Sequence, residues 1–144
     1  MARAGFTLME LLVVLALMAL LTGLAAPRLR PDAPNLSLEA RAMAGGLRAT
    51  RSTALRANDE RLFLVDLAGR RYGSPPQWTA VGLGVALETY AAAEEGGRDT
   101  AAIRFFPDGS STGGRITLSA GGRTAAITVD WLSGAVVIDE RSGS

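Results

Sequence analysis

One stretch near the N-terminus constrains this chain more than any other. From Phe6 to Ala26 the only charged side chain is Glu10, and Leu11 to Leu21 runs without a polar residue. A helix over these 21 residues would extend about 30 Å, the thickness of a bilayer core. Arg3 precedes the stretch and Arg28 and Arg30 follow it, so counting basic residues assigns no orientation.

Two readings compete for such an N-terminus. An ordinary secretory signal would use Arg3 as its basic region, the leucine-rich run as its apolar region and Gly23-Leu24-Ala25 as the cleavage site. Glu10 speaks against it, because a carboxylate deep in a membrane costs up to about 2.5–3.5 kcal/mol. A segment destined for removal has no use for that charge. Ionisable residues inside membrane helices are functional candidates, and the natural partner of this one is an α-amine.

The run Gly5-Phe6-Thr7-Leu8-Met9-Glu10-Leu11-Leu12-Val13-Val14 resembles the signal of type IV prepilins and type II secretion pseudopilins. The resemblance implies that a prepilin peptidase cuts after Gly5 and methylates the new N-terminal residue, Phe6. Glu10 then becomes an assembly residue whose carboxylate pairs with the N-terminal ammonium of a neighbouring subunit. It also implies a cytoplasmic leader, a single pass through a bacterial inner membrane and a globular head in the periplasm. Pro27 fits the same pattern, since proline kinks or ends a helix by removing a backbone donor.

Beyond the apolar stretch, Pro27, Pro31 and Pro34 interrupt any smooth helix and predict a hinge. Helical spacing then resumes: Leu36, Ala40, Met43, Leu47 and Ala54 share one side, and Arg41, Arg48, Arg51 and Arg56 cluster on the other. The basic stripe reads as a solvated face in preference to a nucleic-acid surface, since no aromatic residues interleave with it. Gly45-Gly46 in mid-helix predicts a bend or the close approach of a neighbour, at about 1 kcal/mol per glycine relative to alanine.

From Arg61 the period becomes that of strands, expected at Arg61 to Asp66, Val81 to Tyr90, Ala102 to Phe106, Arg115 to Ser119, Thr124 to Trp131 and Ala135 to Glu140. Turn-forming residues separate them and predict antiparallel hairpins. Ile116 and Leu118, Ile127 and Val129, and Val136 and Ile138 alternate with polar or small residues, so one face can pack on the amphipathic helix. No motif is recognisable between about Arg70 and Asp99.

Ile103 to Ile116 reads as a strand, a turn at Asp108-Gly109 and a second strand, with Gly113-Gly114 supplying backbone freedom. A phosphate loop is excluded by the missing lysine and by its place between strands. Asp108 alone is too few carboxylates for calcium. The segment, with Pro107, Asp108, Gly109, Gly113 and Gly114 as its signature turn, resembles the C-terminal region of the GspH/FimT family of type IV pilin-like proteins.

The resulting expectation is an α+β, type IV pilin-like fold: a long N-terminal hydrophobic transmembrane helix continuing into an amphipathic helix packed on a C-terminal antiparallel β-sheet head. The expected segments are a leader over residues 1–5, a membrane and filament-core helix over 6–27, a hinge over 28–35, an amphipathic helix over 36–60 and a periplasmic head over 61–144. The chain has no cysteine and no histidine. That removes the commonest general base and metal ligand as well as the thiol nucleophile. A hydrolase built on Ser110, Ser111 or Asp108 would lack a base partner, and neither an enzyme, a metal nor a cofactor is expected. A net charge of +1 marks no bulk polyanion binder.

The resemblance implies a minor pseudopilin of the type II secretion system. Its partners would be other major and minor pseudopilins in a hetero-oligomeric filament, the prepilin peptidase, the inner-membrane assembly platform and membrane lipid, and not nucleic acid. The alternative is a FimT-like minor pilin of a type IV pilus, acting in priming or DNA uptake. Against it, the chain ends Asp139-Glu140-Arg141-Ser142-Gly143-Ser144, where the DNA-binding members of that branch are expected to present a glycine-arginine motif.

Overall fold

The computed structural model describes residues 8–25, 35–91 and 99–142 and divides the chain into two units, 1–33 and 34–144. The first unit contains helix α1, Leu8–Ala25. Its large apolar side chains from Leu8 to Leu20 stand exposed around the helix, and Glu10 lies in its first turn, where a carboxylate complements the helix dipole. Among the described residues no helix is long and apolar enough to cross a membrane. The 18 residues of α1 extend about 27 Å, short of a core of roughly 30 Å. Gly5 and Phe6, and the hinge apart from Asn35, lie outside the described residues.

The second unit opens with α2, Leu36–Ala57. Asn35 caps it, its side chain accepting from the Leu38 N–H at 3.2 Å and satisfying one of the free donors of the first turn. The helix stops before the expected Glu60 because Asn58 adopts a left-handed conformation with φ 50°, a conformation asparagine tolerates at a helix end. Leu36, Ala40, Met43, Leu47 and Ala54 are all buried, joined by Ala44 and Thr50, so the apolar stripe is the core face.

Among the described residues eight strands follow: β1 Arg61–Asp66, β2 Arg71–Gly73, β3 Thr79–Ala80, β4 Ala86–Ala91, β5 Thr100–Phe105, β6 Gly114–Ala120, β7 Arg123–Val129 and β8 Val136–Ser142. They form not one sheet but two of four strands each, ordered β3-β2-β1-β5 and β4-β6-β7-β8, with every pairing antiparallel. α2 packs against both sheets. Phe63, Val65, Ile103 and Phe105 enter the core from the first sheet, and Ile116, Leu118, Ile127 and Val129 from the second.

Three expectations need correction. The strand expected from Val81 is only its second half: Val81 and Val85 are buried in a loop whose carbonyls at Gly82 and Val85 are held by the Arg70 guanidinium at 3.2 and 2.8 Å. Trp131 lies beyond β7, in the turn leading to β8. And β5 and β6, expected to flank one hairpin turn, belong to different sheets, so residues 106–113 are a crossover.

Candidate functional site

The crossover holds the signature residues. Phe106, Pro107, Asp108 and Gly109 form a tight turn in which the Gly109 N–H donates to the Phe106 carbonyl at 2.9 Å. Proline suits the second position of such a turn and glycine the last, and Gly109 has φ 88°. Asp108 Oδ1 accepts from both the N–H and the hydroxyl of Ser110, at 2.9 and 2.6 Å. These bonds, the hydroxyl's first, hold the Asp108 carboxyl below its usual range because they favour the charged form.

Ser111 is buried and serves both as donor and as acceptor. Its hydroxyl donates to the Asp130 carbonyl at 3.0 Å and accepts from the Gly113 N–H at 3.0 Å, while its own N–H donates to the Trp131 carbonyl at 2.8 Å. The crossover is thereby fastened to the β7–β8 turn. That turn carries its own brace, with Asp130 Oδ1 accepting from the Ser133 N–H and hydroxyl at 2.8 and 2.7 Å. With its hydroxyl so engaged, Ser111 is a structural serine, and the distant hydrolase reading gains nothing from it.

Gly113 has φ 73°, and a Cβ there would meet the Cβ of Trp131 at 3.1 Å. Both conformation and space therefore require glycine. Gly114 opens β6, paired with Ala91 on one side and Val129 on the other.

The helix holds the other side of this assembly. Arg51 Nε donates to the Gly109 carbonyl at 2.9 Å, and Arg48 Nη2 donates to the Val136 carbonyl at 2.8 Å. The basic stripe is therefore not simply a solvated face. Long arginine side chains reach around the helix to carbonyls that would otherwise be left at the rim of the core. Arg41 and Arg56 do stay exposed. The roles of Arg51, Ser111 and Trp131 were missed from sequence, since their partners lie 58, 19 and 20 positions away. Among the described residues no group of three or more acidic side chains is placed to hold a metal ion.

Residues 39–134, which include the whole crossover, match the family described as type II transport protein GspH. The chain belongs to the GspH family. Residues 1–26 match the prokaryotic N-terminal methylation motif, the region that carries Gly5, Phe6 and Glu10. The type II secretion system protein H of Xanthomonas campestris pv. campestris is 38% identical over 137 residues, covering 92% of this chain and 80% of that protein. Two solved structures share the fold. The minor pseudopilin EpsH of the Vibrio cholerae type 2 secretion system superposes with a TM-score of 0.57 at 14% identity, over 72% of this chain and 95% of that one. The type IV minor pilin FimU of Pseudomonas aeruginosa superposes at 0.55 and 10% identity, over 72% and 87%. Pseudopilin and pilin folds match almost equally, so the sequence relative and not the fold separates the two branches.

Proposed function

We propose that this chain is a minor pseudopilin of the type II secretion system, a structural subunit of the periplasmic pseudopilus that helps export folded proteins across the outer membrane. The observation that carries this reading is the GspH match over 39–134 joined in one chain to the methylation motif over 1–26. The prepilin peptidase removes residues 1–5 after Gly5 and methylates Phe6. The 21-residue apolar stretch from Phe6 to Ala26 anchors the chain once in the inner membrane, leaving the head in the periplasm.

An apolar helix exposed on every side needs lipid or other helices around it, and a filament core of packed N-terminal helices supplies the second after the membrane supplies the first. Glu10 pairs with the N-terminal ammonium of a neighbouring subunit and sets axial register, because a buried charge without its partner is strongly destabilising. Other pseudopilins and the inner-membrane assembly platform are the partners, and the chain acts as a subunit without a catalytic role.

The test is intact-mass measurement of membrane-extracted protein from cells with and without the peptidase. A mass lower by residues 1–5 and higher by one methyl group, only with the peptidase present, is expected. A soluble product beginning near Ala26 would overturn the anchor and the filament role together. Glu10→Ala should still be cleaved and inserted but assemble poorly, and normal assembly would remove the pairing. The FimT-like pilin reading has the FimU fold likeness in its favour. It predicts that deleting the gene abolishes pili or DNA uptake and leaves exoprotein export intact.

A further inference from the structure

The outer face of the second sheet carries a row of side chains that the core does not use. Tyr90 lies opposite Arg115, Arg115 opposite Thr128 and Thr128 opposite Val137, so the four share one face across all four strands. Tyr90 is 86% exposed and Val137 60%. Where this row meets the β7–β8 turn, Trp131 at 65% and Leu132 at 67% extend it. Between Tyr90 and Trp131 lies a groove of about 900 Å³, with Arg115, Thr112, Thr128 and Val129 among its lining residues.

We propose that this groove receives the head of another pseudopilin, which inserts an acidic side chain between Tyr90 and Trp131 to pair with Arg115. The proposal rests on the filament reading given above and names the surface by which the head meets its neighbour. Tyrosine, tryptophan and arginine are the residues that dominate the energetics of protein interfaces, and here they stand together and exposed. Arg115 makes one weak bond, Nε to the Thr128 hydroxyl at 3.3 Å, and takes part in none of the ion pairs among the described residues.

Among the described residues, the carboxylates along the sheet and turn do not complete it. Glu88 sits one row away, opposite Thr117. Asp139 is paired with Arg141 at 3.1 Å. Asp130, which also lines the groove, turns its carboxylate onto Ser133. An incoming acid therefore supplies a charge that Arg115 finds in no ion pair among the described residues. A lone arginine suits a protein carboxylate better than a nucleic-acid backbone, which is held through several phosphate contacts.

Two further observations favour a protein neighbour in a stack. Trp131 is held at its backbone by Ser111 and abuts Gly113, so the anchor is ordered before binding and little conformational entropy remains to be lost. The groove also lies at the end of the head that α2 reaches late. Arg51, which holds the adjoining crossover, is about 22 Å along the helix axis from Leu36. This end lies away from Leu36, where α2 begins, and is left open to a neighbouring head.

The test places a photo-crosslinking amino acid at Trp131 in the full chain, expressed with its whole secretion apparatus, and at Thr124 on the same sheet as control. The expected product at position 131 contains another pseudopilin, identified by its own methylated N-terminus, in about tenfold greater yield than at 124. Arg115→Glu should lower that yield about tenfold and Tyr90→Ala should lower it as well. Reversing the captured subunit's acid to arginine should restore it against Arg115→Glu. Equal yields at the two positions overturn the proposal. So does capture of an exported protein or of a second copy of this chain, or indifference to both variants. The mass of the same extracts reads processing separately: a cleaved, methylated subunit without the cross-link defeats this inference alone, and an unprocessed one defeats the filament reading and this inference with it.

Discussion

Arg51 Nε sits 2.9 Å from the carbonyl oxygen of Gly109, joining the later half of α2 to the turn in which the chain passes from one sheet to the other. A third element closes on the same point. Gly134 has φ 63°, and a Cβ there would lie 2.2 Å from that carbonyl oxygen and 2.7 Å from Arg51 Nε. Helix, crossover and β7–β8 turn thus meet at one hydrogen bond, and the turn that presents Trp131 depends on it.

Removing this bond should loosen the distal end of the head. A half-buried hydrogen bond from a charged donor contributes about 1.5–3 kcal/mol, so Arg51→Met, which keeps the apolar stem, should destabilise the protein by about 2 kcal/mol. Thermal melting of the full chain in detergent measures this. Gly134→Ala should cost at least as much, because it combines an unfavourable φ with a clash at the same bond. Wild-type melting of both variants would show that the contact is incidental.

The two neighbouring glycines of α2 should respond in opposite directions. A Cβ at Gly45 meets nothing within 4 Å, whereas one at Gly46 would sit 2.9 Å from Phe63 Cε2, and Phe63 is fully buried. Gly45→Ala should stabilise by about 0.5–1 kcal/mol through helix propensity. Gly46→Ala should destabilise by about 1–3 kcal/mol through overpacking. Denaturant midpoints of the pair would decide it.

Acid should weaken the turns. Asp66 is held below its usual 3.8 by the Gly69 N–H and then by Arg71, Asp108 by the Ser110 hydroxyl and then its N–H, and Asp130 by the Ser133 N–H and then its hydroxyl. A carboxyl whose pKa is depressed on folding contributes stability above its unfolded value, and that contribution is lost as pH falls through the folded one. Stability should therefore hold steady above pH 3.8 and decline below it. Asp130→Asn should flatten the decline in denaturant titrations repeated across acidic pH.

Alkali should act through Tyr72. The phenol is buried in β2, and burial first, then the Glu39 charge beside it, push it from 10.0 up to about 12. Because the folded value is raised, its contribution is complete below pH 10.0 and is lost as pH climbs towards about 12. Phenolate absorbance should show Tyr72 ionising only as the head opens, and Tyr72→Phe should reduce the alkaline loss of stability.

Much of the head was legible because its signals are local. The buried face of α2, the alternation in β6 and β7 and the turn at Asp108-Gly109 each follow from residues a few positions apart, whose periodicity or φ preference acts within one element. Gly46 was legible in the same way, as a glycine where a helix former would otherwise serve. The strands β2 and β3 were not, because strands of three and two residues are too short to show a period and exist through pairing, β2 with β1 and β3 with β2.

Local residue patterns alone carried the expectation of a processing signal at Gly5 and Phe6, the placing of Glu10 within an apolar helix, the amphipathic helix that follows and the α+β class. All are written in neighbouring residues. Packing of the distant segments set the rest: β5 and β6 part into separate sheets, Arg48 and Arg51 turn to carbonyls of the head, and Ser111 ties the crossover to Trp131. Those outcomes depend on which buried polar groups find partners after the sheets have packed on α2. Pairings between groups far apart in the chain leave no periodic trace along it.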